Sequence, residues 1–110
     1  MLAHHVYFAL KDRSPDAVRR LVAAARERLS GHPGTIAFAV GTVAAFDRPV
    51  NDREFDVALA IVFDSHASHE AYQKAPRHDD FIAECSANWE KVRVFDADLA
   101  TLSFTSPAGG

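Results

Sequence analysis

Six histidines in a chain with one cysteine and one tryptophan are the residues whose chemistry most needs a place. Tyr72 and His78 flank Pro76 in the run Tyr72-Gln73-Lys74-Ala75-Pro76-Arg77-His78-Asp79-Asp80-Phe81. A proline there breaks the helix and lets both side chains converge on one cavity, which an unbroken helix does less readily. Imidazole titrates at ~6.5 and is the usual general acid or base at neutral pH. A neighbouring phenol can hold a carbonyl oxygen or stabilise an enolate. His4 shares a strand face with Val6, Phe8 and Leu10, so its ring points where apolar side chains point. It must be hydrogen-bonded or bear a desolvation cost on the order of a few kcal/mol. The plainer arrangement has Tyr72 and His78 bonded to each other or to a backbone carbonyl at a helix junction, the commoner fate of buried polar groups.

The other reactive residues point to less. His66 and His69 stand at i, i+3 and so share a helix face. Zinc needs further converging ligands, and Ser65, Ser68 and Glu70 around the pair indicate a solvated surface with no metal. His32 lies in the turn Gly31-His32-Pro33-Gly34, where a polar loop role suffices. Cys85 sits in an apolar helical stripe and reads as a small buried hydrophobe, not a nucleophile. Glycine-rich phosphate loops, CxxC pairs and GxSxG elbows are absent. A metal-dependent oxygenase would need a convergent ligand set that the sequence does not display.

The elements that position these residues follow from periodicity. Residues 3–10 alternate as a strand. Ser14-Pro15 caps a helix whose apolar residues Val18, Leu21, Val22, Ala25 and Leu29 recur at helical spacing, and Gly31 to Gly34 ends it. Residues 35–45 form a second strand with Ile36, Phe38 and Val40 on one face. Residues 46–54, with Pro49 and Asn51-Asp52, form a loop. In the third strand Phe55, Val57, Leu59, Ile61 and Phe63 alternate with Asp56, Ala58, Ala60 and Val62, so both faces are largely apolar. Such a strand needs a layer on each side, and one of the two points to a partner subunit. Asp64-Ser65 caps a short helix to Ala75, and Pro76 opens another to Ala87 with the stripe Phe81, Ile82, Cys85 and Trp89. Residues 92–95 form a fourth strand, 99–104 an extension or short arm, and 105–110 a disordered, frayed tail.

The order β-α-β-β-α-α-β is the ferredoxin-like, split βαβ arrangement of the α+β class. At 110 residues the chain is one domain, spanning 1–104. Twelve Lys and Arg against fifteen Asp and Glu give a net charge of −3, unlike a nucleic-acid binder. Arg19, Arg20, Arg26 and Arg28, interleaved with Asp16 and Glu27, read as a solvated face. The longest apolar run, Val57 to Phe63, is far short of the ~20 residues that span a bilayer, so no membrane partner is expected. The N-terminus is a poor secretory signal, and a single cysteine fits a reducing cytoplasm.

Four segments together resemble a known family. They are His4-x-Val6-x-Phe8-x-Leu10-Lys11, the strand end Phe63-Asp64, Tyr72-x-x-x-Pro76-x-His78-x-x-Phe81, and Trp89-Glu90-Lys91-x-x-x-Phe95-Asp96. Over about residues 1–100 they resemble the stress-responsive α/β-barrel (Dabb) domain. The resemblance implies a homodimeric α/β barrel. One plant polyketide cyclase of that family closes a linear polyketone by intramolecular aldol condensation without metal or cofactor. Likeness to it implies Tyr72 and His78 as a catalytic pair, His4 as a strand histidine lining the pocket, an apolar small-molecule ligand and no cofactor. Val57 stands where that enzyme carries a third-strand histidine, so the polar lining is reduced here. The resemblance equally admits a non-catalytic dimeric domain of stress response or interaction.

Overall fold

In the computed structural model, residues 1–105 are described, and the tail expected over 105–110 lies outside them from residue 106 onward. The elements run β1 (Leu2–Leu10), α1 (Pro15–Leu29), β2 (Thr35–Thr42), β3 (Val57–Phe63), α2 (His66–Lys74), α3 (Pro76–Cys85), a 3-10 turn (Ser86–Asn88) and β4 (Trp89–Asp98). The strands form one antiparallel sheet in the order β2-β3-β1-β4. This is the ferredoxin-like α+β fold.

Local chemistry explains the helix bounds. The Ser14 hydroxyl accepts a hydrogen bond from the Ala17 amide, Pro15 occupies the first turn, and Arg26 and Arg28 sit in the last. Ser65 caps α2 in the same way through the Ser68 amide. Ala75 is extended, at φ −70° and ψ 144°, because the ring of Pro76 excludes the helical region for the residue before it. It ends α2 and begins α3, and the chain turns there.

The core lies between the helices and one sheet face. Val6, Phe8 and Leu10 of β1 and Val57, Leu59, Ile61 and Phe63 of β3 meet Leu21, Ala25 and Leu29 of α1, Tyr72 of α2 and Phe81 of α3. The ladder pairs His4 with Ile61, Val6 with Leu59 and Phe8 with Val57, which places His4 on this inner face. The opposite face carries His5, Tyr7, Ala58, Ala60 and Val62, all only half-buried, and Phe95, which is 56% exposed. No helix covers that face among the described residues. None of the helices is long and apolar enough to cross a membrane.

Several local expectations change. In β2, Ile36 is the extra residue of a bulge between Thr35 and Ala37, so it leaves the face shared by Phe38 and Val40 and is exposed. β2 also stops at Thr42. β3 begins at Val57 and not at Phe55, because buried Asp56 turns in to accept bonds from the Leu10 amide (2.8 Å) and Arg13 Nε (2.9 Å). The Phe55 ring then packs edge-on against Tyr7 of the other face, 5.0 Å away. β4 begins at Trp89, which therefore belongs to a strand and not to the stripe of α3. It ends at Asp98, with residues 99–104 outside any strand. In the α3 stripe Phe81 is buried but Ile82 is exposed.

Candidate functional site

His4 sits at the middle of the inner face and is 4% exposed. Asp96 lies directly opposite it in the β1–β4 ladder, and the two make a cross-strand pair with His4 Nδ1 2.5 Å from Asp96 Oδ1. Tyr72 projects inward from the last turn of α2, almost fully buried. Its ring meets His78 edge-on at 4.9 Å, His32 edge-on at 5.1 Å and Phe63 at 5.0 Å, with His4 at 5.8 Å. His69, one turn earlier, lies nearly parallel to it at 6.4 Å. The break at Ala75–Pro76 makes the Tyr72–His78 contact possible, since His78 falls in the first turn of α3.

His4, Tyr72 and His78 line a single cavity of about 230 Å³ between the helices and the β1–β4 side of the sheet. Phe8, Phe81 and Trp89 supply apolar wall, and the exposed Val92 and Val94 of β4 lie at its margin. The three residues singled out in the sequence thus converge.

The protonation states are set by burial. His78 is pushed below the usual histidine value by burial first, with His4, His32 and His69 reinforcing and Asp79 opposing. Its Nδ1 is buried with no hydrogen-bond partner, so His78 does not have the plain satisfied arrangement of a helix-junction histidine. Burial pushes the Tyr72 phenol well above its usual value, leaving it a donor at neutral pH. The Cys85 thiol is pushed up to about 11, chiefly by burial, which suits a packed side chain and not a nucleophile.

Two histidines differ from expectation. His32 lies in the turn after α1 as expected but is buried there, its Nε2 bound to the Arg28 carbonyl at 2.8 Å at the end of α1. His66 and His69 do not share an environment. A step of three residues turns a helix by about 300°, so once Tyr72 faces the core His69 follows it inward and His66 is carried to the rim. His66 pairs with Asp98 at the surface, whereas the His69 ring packs on His4 at 4.7 Å and Phe63 at 5.4 Å. His69 Nε2 is buried without a partner, and burial, then His4, lowers the histidine's pKa.

His4, His69 and Asp96 each offer one ligand atom, and these lie within 4.8 Å of one another. This is the convergent set the sequence did not display. Finding it requires the register that puts Asp96 opposite His4 and the rotation that turns His69 inward, and neither is a local signal.

The family model described as Stress responsive A/B Barrel Domain matches residues 2–99. No curated protein sequence matches the chain. Among solved structures, a Dabb family protein with a ferredoxin-like fold from Mesorhizobium loti aligns with a TM-score of 0.75 at 22% identity, covering 91% of this chain and 97% of that one. A dimeric ferredoxin-like protein of unknown function from Thermobifida fusca aligns with a TM-score of 0.73 at 21% identity, covering 89% and 90%. A Chloroflexus aurantiacus protein proposed to be an antibiotic biosynthesis monooxygenase aligns with a TM-score of 0.68 at 19% identity, covering 94% and 98%.

Proposed function

The chain belongs to the stress-responsive A/B barrel domain family, and we propose that it is a homodimer whose helix–sheet cavity performs side-chain acid–base chemistry on a small carbonyl compound. His78 is the general base. It takes a proton from a carbon between two carbonyls, and the Tyr72 hydroxyl donates to the oxygen that gains enolate charge. The enolate carbon then attacks a second carbonyl of the same molecule, and the imidazolium returns its proton to the new alkoxide. That is an intramolecular aldol addition, and loss of the α-proton and the new hydroxyl as water completes a condensation of polyketide-cyclase type, which needs no cofactor. His4, held by Asp96, lines the polar end and orients the substrate. A lone Cys85 without a disulfide partner fits a cytoplasmic setting.

One observation carries this reading: a buried, unpartnered His78 nitrogen stands beside the Tyr72 phenol in a largely apolar cavity. Homodimerisation is supported by the uncovered outer face of the sheet and by the dimeric state of the Thermobifida fusca relative. The test is turnover of β-dicarbonyl and short polyketide-like compounds by the wild type, His78→Ala and Tyr72→Phe. A positioned base contributes about 10²- to 10⁴-fold, so His78→Ala should lose that much. Equal turnover in all three proteins would remove the assignment.

A second reading has one observation in its favour. The cavity, about 230 Å³, lies under the ~300 Å³ at which pockets for drug-sized ligands begin. A non-catalytic dimeric stress-response or interaction domain would show no melting shift with any such compound.

A further inference from the structure

We propose that His4, His69 and Asp96 form a binding site for one divalent first-row transition ion per chain. The ligands come from three elements, β1, α2 and β4, and their donor atoms lie within 4.8 Å of one another. Metal–nitrogen and metal–oxygen bonds of ~2.0–2.2 Å put tetrahedral ligand atoms about 3.3–3.6 Å apart. The triangle therefore closes on an ion with adjustments on the order of an ångström, the His4–Asp96 contact of 2.5 Å opening and the wider spacing drawing in.

Three features favour an ion over a fortuitous grouping. The first is an unmet demand: His69 Nε2 is buried with no hydrogen-bond partner, whereas buried polar atoms are almost always satisfied. The second is donor chemistry. Two imidazoles and one carboxylate match zinc, cobalt or iron, and not calcium or magnesium, which prefer oxygen throughout. The third is access, since the Asp96 side chain is 38% exposed and leaves room for water in the remaining positions. Protein ligands on three positions with the rest open is the pattern of a reactive centre more than of a closed structural one. The site adjoins the cavity, because His4 belongs to both.

This inference shares His4 and Asp96 with the acid–base reading, but the proton transfer of that reading rests on His78 and Tyr72 and the ion on His69, so each is tested by its own variants. The test uses untagged full-length protein titrated with Co²⁺ and followed by visible d–d absorption, with Zn²⁺ as competitor. The expected result is one Co²⁺ per chain, displaced by Zn²⁺. His69→Ala and Asp96→Asn should each weaken binding about ten-fold or more, as loss of even an outer partner typically weakens it by 10–100-fold. His66→Ala, which removes the exposed neighbour bound to Asp98, should bind as the wild type does. Asp96→Asn decides the matter if His69→Ala fails to fold, since Asp96 lies on the exposed edge strand. Failure of the wild type to take up stoichiometric Co²⁺, or uptake unchanged in Asp96→Asn, would overturn the site while leaving His78→Ala free to test the reaction.

Discussion

His78→Leu should stabilise the protein, and the size of the gain can be worked from the site. An unsatisfied buried polar atom costs about 1–3 kcal/mol, and replacing it with an apolar group of similar shape removes that cost. His78 Nδ1 is such an atom, and its ring already packs against Tyr72 at 4.9 Å in a cavity whose other walls are largely apolar. Because the residue is only half-buried, the lower end applies, about 1 kcal/mol. For a domain of this size that is about 4 °C in Tm. The assay is calorimetric or urea unfolding at neutral pH and one fixed protein concentration, since dimer stability depends on concentration. The gain should widen as the pH is lowered. The folded-state pKa of His78 lies below its ordinary value of 6.5, so the unfolded chain binds the proton more readily. The stability contributed by keeping this group neutral is complete above ~6.5 and is lost as the pH falls through the folded value, at no more than ~1.4 kcal/mol per pH unit for one proton. Leucine carries no such loss. His69, shifted the same way, is present in both proteins and cancels. A variant less stable than the wild type by 1 kcal/mol or more at neutral pH would refute the reasoning, showing that the nitrogen is a structural partner.

Three shorter predictions bear on the frame of the site. Gly34→Ala should cost about 2 kcal/mol or more in urea unfolding, because Gly34 has φ +83° and an added Cβ would collide with the Ser68 side chain; an unchanged midpoint would contradict it. His32→Phe should lose about 1–2 kcal/mol with the bond to the Arg28 carbonyl, again read as a shift of the unfolding midpoint. Ala60→Asp, on the uncovered sheet face opposite His5, should convert a dimer to a monomer in light scattering at micromolar concentration, and a dimer that persists would place the interface elsewhere.

What the chain announces locally it announces well. Ser14-Pro15 and Pro76 delimit helices because cap and proline sterics act within a few residues, and α1 runs over the residues its spacing implied. His4 was legible as inward because strand alternation needs no partner to be read. β4 was legible only over Val92 to Phe95. Its flanks, Glu90, Lys91, Asp96 and Asp98, are polar because an edge strand leaves them largely in water. Asp56 was hidden for the opposite reason: a buried carboxylate is explained only by the Leu10 amide and the Arg13 guanidinium, some 40 residues away in sequence. The inward turn of His69 follows from how α2 seats on β3, and its neighbours Ser65, Ser68 and Glu70 gave no sign of it.

The four imidazoles around Tyr72 divide into two kinds, and the division bears on function. His4 is answered by Asp96 and His32 by the Arg28 carbonyl, so each spends at least one ring nitrogen on holding β1 to β4 or closing the end of α1. His69 and His78 each keep a buried nitrogen unanswered. Folding selects against such atoms at about 1–3 kcal/mol apiece, a large share of the 5–15 kcal/mol that small domains hold in reserve. A side chain kept for packing alone would be replaced at that cost by leucine or phenylalanine, both abundant in the surrounding core. The unanswered pair is therefore where the two proposals place a ligand. His78 faces the cavity with the phenol, which suits proton transfer, and His69 faces His4 and Asp96, which suits an ion. The two stability measurements separate the kinds directly: removing His32 should weaken the fold and removing His78 should strengthen it. The same sign for both would mean that the ring of histidines is structural throughout.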